Sequence, residues 1–256
     1  MRNQFKYLAI AGIAMLAICS GARAQMAPKT GAAKSTEPAP PAPPHELSGV
    51  WNMHNTPAQR KYLGSTWTAE PPEMTPWAKV KYDATKPSNG PRSNSLTTTD
   101  DPVLKNCFPP GTPRIYLQPF PLQIVQTPKE IIMIFEYDHV VRYIFTDGRK
   151  HPDDVTPTYM GHSIGKWEGD TLVVDTVGFN EKTWLDRDGH QHSDQLHLVE
   201  RFHRVDRDNL QVAVTMDDPK ALVKPWGNTL NFQLKPDWDI EELACTDNAE
   251  FVNFEK

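Results

Sequence analysis

The sequence predicts an all-β fold, an antiparallel up-and-down barrel whose proline-rich N-terminal half is mostly irregular. Three observations predict it. Short strand-like runs recur through residues 122–245 with turn residues between them, and no helical pattern of 10 to 15 residues interrupts them. Proline is concentrated ahead of those runs, with 13 in residues 57–128 against five in 129–256. Tight sequential connections make neighbouring strands antiparallel, and a sheet of about nine strands removes its edges by curling on itself. A β-sandwich is the alternative arrangement of the same strands.

In chain order, Arg2 and Lys6 precede an apolar stretch over 7–19, and Ala22-Arg23-Ala24 precedes Gln25. This is the pattern of a secretory signal peptide over 1–24. The apolar stretch falls short of the roughly 20 residues needed to cross a bilayer. The mature chain is expected to start at Gln25, to be periplasmic or secreted, and not to insert into a membrane. Residues 25–46 hold six prolines and hardly a bulky apolar side chain, the composition of a disordered tether.

One β-rich domain is expected over 47–256. Its first part, 47–121, carries prolines that deny donors to a ladder and block helix interiors, so it should wrap over the strands. One helix stands out at 76–84: Thr75 can cap it, Pro76 suits its first position, and Trp77, Val80 and Ala84 share a face. Strands are expected at 122–126, 131–137 and 140–145, then 159–167 and 171–177 about Glu168-Gly169-Asp170, then 195–205, 210–216, 228–234 and 239–245. Gly49-Val50-Trp51 is similar to the G-x-W opening of lipocalin-like barrels, in which the tryptophan closes one barrel end.

Lysine and arginine number 27 against 32 aspartate and glutamate, a formal charge of −5. Loss of the signal peptide leaves 24 basic residues and a charge of −8. No basic run makes a nucleic-acid footprint, and a small molecule is the expected partner. Cys19 leaves with the signal peptide, so Cys107 and Cys245 remain. In an oxidising compartment they are expected to pair, the alternative being two buried thiols or a redox-sensitive pair.

Gly161-His162-Ser163-Ile164-Gly165 matches the G-x-S-x-G nucleophile elbow, yet a hairpin follows where the elbow needs a helix. Ser163 is therefore read structurally. Period two puts Tyr159, Gly161, Ser163, Gly165 and Trp167 on one face, whose small residues leave room for another backbone or for a ligand. Tyr159, His162, Ser163, Trp167 and Trp184 are the candidate ligand-binding residues. The seven tryptophans could line such a pocket or fill the core.

Residues 184–194 form the densest polar segment, with three aspartates and two histidines. A histidine exchanges protons near neutral pH, and a neighbouring carboxylate fixes its tautomer. His192 is the expected base, Asp186 its orienting partner, Glu136 or His139 the acid, and Arg201 a contact for negative charge. Taken individually, Glu200 and Arg201 read as structural ion-pair members, because adjacent strand residues face opposite ways. His190 and His192 can instead converge on a divalent metal with a third ligand from His162, His197, Glu200 or His203. Asp186-x-Asp188-Gly189 also opens like a calcium loop, without the remaining EF-hand ligands. His45, His54 and His151 read as surface residues, and no other cofactor is expected.

These motifs together, with Thr146-Asp147-Gly148-Arg149, the Trp184-Leu185-Asp186 loop, Asp217-Asp218-Pro219 and Pro225-Trp226, resemble a family of uncharacterised exported proteins plentiful in soil bacteria. The resemblance spans nearly all of 47–245. It implies a complete exported domain in which the polar loop belongs to the pattern, and it carries no activity. Asp188 stands where that pattern has an aromatic, and Gln191 where it has proline. The sequence thus leads to binding of a small apolar or aromatic molecule with proton-transfer chemistry of the lyase, isomerase or hydratase type. A metal-dependent hydrolase at His190 and His192 and a non-catalytic carrier or envelope-interaction domain are the alternatives.

Overall fold

The computed structural model describes residue 41 and residues 45–245. The expected signal peptide and nearly all of the tether lie outside the described residues. Nine strands follow one another round a closed barrel. They are β1 (Gly49–Met53), β2 (Leu122–Gln126), β3 (Glu130–Phe135), β4 (Val141–Phe145), β5 (His162–Glu168), β6 (Thr171–Val177), β7 (His197–Arg204), β8 (Asn209–Asp217) and β9 (Trp226–Leu234). The ring closes where Trp51 of β1 pairs with Leu234 of β9.

The barrel is mixed rather than wholly antiparallel. A ring of nine strands cannot alternate direction all the way round, so one neighbouring pair must run parallel. Here it is β4 and β5, joined only at Ile144–Ser163 and Phe145–Ile164; the other eight pairings are antiparallel. Parallel neighbours need a crossover, which residues 146–161 supply. The strand expected at 239–245 is absent, because β1 already occupies the slot beside β9. That segment keeps a single bridge, Leu243 to Tyr137.

A barrel of about this size is filled by its own side chains. Ile124, Met133, Ile144, Leu172, Val174, Leu198, Phe202, Val212 and Leu230 are all buried in one core. Within it sits a polar knot. Arg142 of β4 donates to both carboxylate oxygens of Glu200 of β7, to Ser163 Oγ of β5 and to Thr176 Oγ1 of β6. Tyr116 enters from a short 3-10 turn, Arg114–Leu117, and its hydroxyl donates to Glu200 Oε1 at 2.7 Å. Burial and the Glu200 carboxylate beside it push the Tyr116 hydroxyl pKa well up, so it remains a donor.

The stretch before β2 wraps the barrel. Helix α1 (Pro76–Ala84) has Thr75 as its cap, accepting from the Ala78 amide. Its buried side is Ala78, however, while Val80 is 71% exposed, so the expected Trp77/Val80/Ala84 face is not the one the barrel takes. Helix α2 (Pro102–Asn106) is capped by Asp101 and ends at Cys107. Cys107 and Cys245 are joined by a disulfide with their Cα atoms 5.6 Å apart. Trp67 of the wrap is fully buried and donates to the Leu185 carbonyl, tying the wrap to the polar loop.

Candidate functional site

The polar loop folds about one carboxylate. Asp186 Oδ1 accepts the amides of Asp188, Gly189 and His190, each at 3.1 Å, which closes a tight turn. Asp186 Oδ2 accepts Thr66 Oγ1 at 2.6 Å and His190 Nδ1 at 2.6 Å. Gly189 has φ +96°, and a Cβ there would lie 2.6 Å from Thr85 Oγ1, so only glycine fits.

Sequence spacing pairs Asp186 with His192, whereas the structure pairs it with His190. An extended chain would point both histidines the same way, but the turn folds His190 back over Asp186. The His192 ring leaves on the other side, against Phe179. Its Nε2 lies 3.2 Å from Thr183 Oγ1 and its Nδ1 3.1 Å from the Ser193 carbonyl, so both nitrogens are engaged. Burial pushes the His192 pKa down. His192 is thus a core histidine, and its assignments as base and as metal ligand are not met by its geometry.

His190 is the opposite case. An ionised carboxylate only accepts, so Asp186 keeps the proton on Nδ1 and leaves a lone pair on Nε2. The residue is 2% exposed and Nε2 has no hydrogen-bond partner. The ring stacks on Tyr82 of α1 with centroids 4.6 Å apart and meets the Trp226 edge. It lines a cavity of about 290 Å³ with Tyr62, Ser65, Thr66, Thr68, Pro91 and Asp188. Ser65 donates its hydroxyl to Asp188 Oδ1. Burial, with Asp186 adding to it against the Ser65 hydrogen bond, pushes the Asp188 pKa up. An imidazole nitrogen without a partner and a carboxyl whose pKa burial raises therefore border one cavity, a pairing suited to moving one proton on and another off.

The other expected acid, cation and ligand-binding residues lie elsewhere. Glu136 accepts the Glu241 amide, and His139 sits exposed in the β3–β4 turn at φ +48°. Arg201 is on the outer face, 3.1 Å from Glu168, while Glu200 is inside with Arg142, as expected from their adjacency. Trp184 is buried and bridged to Gln191. Trp167 stacks on His45 with centroids 4.5 Å apart. Among the described residues no cluster of three or more His, Cys, Asp or Glu is arranged to hold a metal.

Tyr159, His162 and Ser163 are brought together at a second cavity, of about 520 Å³, where the start of β4 and the approach to β5 splay apart. Beside it lies a chain of groups. His162 Nδ1 is 2.8 Å from His151 Nδ1; His151 Nε2 is 2.8 Å from Asp175 Oδ1; His197 Nε2 is 2.7 Å from Asp175 Oδ2. Period two places Asp175 and His197 on the outer faces of β6 and β7, and that signal could have found them. His151 joins them through the crossover, which period two does not reach. Comparison with protein-family models, with curated proteins and with solved structures finds no match for this chain.

Proposed function

We propose that the chain is an exported protein that binds a small molecule beside His190 and transfers a proton on it, chemistry of the lyase, isomerase or hydratase type. The observation that carries this reading is the buried His190 Nε2, unpartnered while Nδ1 is held by Asp186 and the ring lines a cavity. In this reading His190 Nε2 takes a proton from the substrate, Asp188 returns one to another substrate atom, and Asp186 is a positioning residue. The Tyr62 ring and the prolines of the wrap give the molecule an apolar side, and the serine and threonine oxygens give it a polar one. At about 290 Å³ the cavity falls just below the usual range of roughly 300–1,000 Å³ for ligand pockets, which suits a small molecule. The lipocalin-like comparison has Trp51 in its favour, fully buried with Nε1 on the Leu47 carbonyl. Export is supported by the signal-like segment and by the disulfide.

The test is solvent exchange. The mature chain is incubated in D₂O with small ketones and hydroxy acids, and carbon-bound deuterium is followed by NMR. Enzyme-dependent exchange that falls by ~10²–10⁴-fold in His190→Gln is the expected result. Exchange unchanged in that variant, or absent across the panel, overturns the reading.

A further inference from the structure

The cavity between β4 and β5 is bordered by a hydrogen-bonded sequence of side chains whose proton positions can be worked out. Asp175 is 40% exposed, and although burial acts to raise its pKa, hydrogen bonds from His197 and His151 bring it below the usual value. It is a carboxylate at neutral pH. A carboxylate offers only lone pairs, so His151 and His197 each present an Nε2–H to it. A neutral His151 then has a bare Nδ1. Between His151 Nδ1 and His162 Nδ1 there is room for one proton, and it must sit on His162. The remaining His162 nitrogen, Nε2, carries a lone pair and makes no hydrogen bond among the described residues.

The cavity lining gives the rest of the ligand's chemistry. Val140, Val141, Tyr143, Phe145, Tyr159 and Met160 make it largely apolar and aromatic. The ring of His162 lies 5.4 Å from that of Phe145, whose other neighbour is the Arg149 guanidinium, 3.9 Å from the ring centroid. Arg142, the one lysine or arginine of the lining, is already held by Glu200, Tyr116, Ser163 and Thr176.

We propose that this cavity is a second ligand site, separate from His190, which takes an aromatic molecule bearing one acidic hydroxyl, a phenol, and receives its proton on His162 Nε2. The step balances as a relay. The phenol O–H breaks as its proton joins His162 Nε2, and the Nδ1 proton of His162 passes to His151 Nδ1. The products are a phenolate, a neutral His162 and an imidazolium at His151, whose Nε2–H remains on Asp175. No oxidant or metal is consumed. The relay answers an electrostatic problem: burial, His151 and Arg149 all lower the His162 pKa, so charge is disfavoured there and is passed to the ring beside the carboxylate. The titratable and charged groups about His162 are His151, Arg149 with its partner Asp147, Asp175 and, beyond it, His197, while Asp138, Arg142, Tyr143 and Tyr159 line the same cavity.

The probe is 4-nitrophenol, whose phenolate absorbs visible light and whose phenol does not. It is titrated with the full chain at a pH where the free probe is mainly the phenol. A saturable rise of the phenolate band is expected. His162→Gln should abolish the band, and Asp175→Asn should reduce the bound phenolate fraction severalfold while binding, followed by equilibrium dialysis, persists. His190→Gln should leave both unchanged. That separates this site from the one proposed above. Val141→Asp, an exposed position on the lining, should weaken binding at least tenfold. Absence of saturable binding, or a phenolate band that survives His162→Gln, overturns the proposal.

Discussion

Arg142 and Glu200 meet inside the barrel with side chains 1% and 0% exposed, the carboxylate taking Nη1 at 2.8 Å on one oxygen and Nη2 on the other. Such a pair repays its desolvation only while both members are present. Removing one strands a charge.

Glu200→Ala is therefore expected to lower unfolding free energy by about 3–5 kcal/mol, read as a drop in urea midpoint. Arg142→Met combined with Glu200→Leu should cost clearly less than the sum of the single changes, because neither charge is left behind. Additive losses would show that the pair is not coupled. Tyr116→Phe should cost about 1–3 kcal/mol, since Glu200 Oε1 keeps its bond from Arg142.

The two histidines of the polar loop should differ in nitrogen-15 spectra. In His190 the Nδ1 signal should be of the protonated type and Nε2 of the bare type, and Asp186→Asn should mix the tautomers. His192, with both nitrogens engaged, should keep its pattern in that variant. Loss of the His190 preference should lower exchange activity by at least tenfold even where the fold persists.

Acid lability should trace partly to His192. Its folded pKa lies below the unfolded value of about 6.5. The unfolded chain then binds more protons than the folded one between those two values. Stability is fully present above pH 6.5 and falls as pH drops toward the folded pKa, by about 1.4 kcal/mol for each unit. Urea midpoints at pH 7.5 and pH 5 give the slope, and His192→Phe should flatten it. An equal slope in that variant would assign the lability elsewhere.

The disulfide spans 138 residues of sequence. In the chain-entropy treatment a loop of that size contributes about 5 kcal/mol by restricting the unfolded chain. Reductant should lower the urea midpoint accordingly, while Cys107→Ser with Cys245→Ser should be insensitive to it. The loss should be local too, because Cys245 also donates its amide to Asp138 Oδ1.

Most strands could be read from period-two patterning, because an inner face packed with Val, Ile and Leu enforces it. β2 and β6 match their expected bounds. The parallel pair could not be read that way, since direction depends on how many strands close the ring, and β1 lies 68 residues before β2. In the candidate site the loop was legible but its pairing was not. The Asx turn that binds three successive amides reverses the chain and exchanges the roles of His190 and His192. Arg142, Tyr116 and His151 carried no local signal at all. Each becomes polar-network machinery only through a partner 11 to 84 residues away.

Nine is one short of an even number, and that fixes where this cylinder can accept an addition. A tenth strand laid antiparallel to β4 would automatically be antiparallel to β5 as well, restoring alternation all the way round. No other gap in the ring has that property, since a strand inserted between any antiparallel neighbours must run parallel to one of them. The shortest ladder in the ring is therefore also its only direction-neutral insertion point.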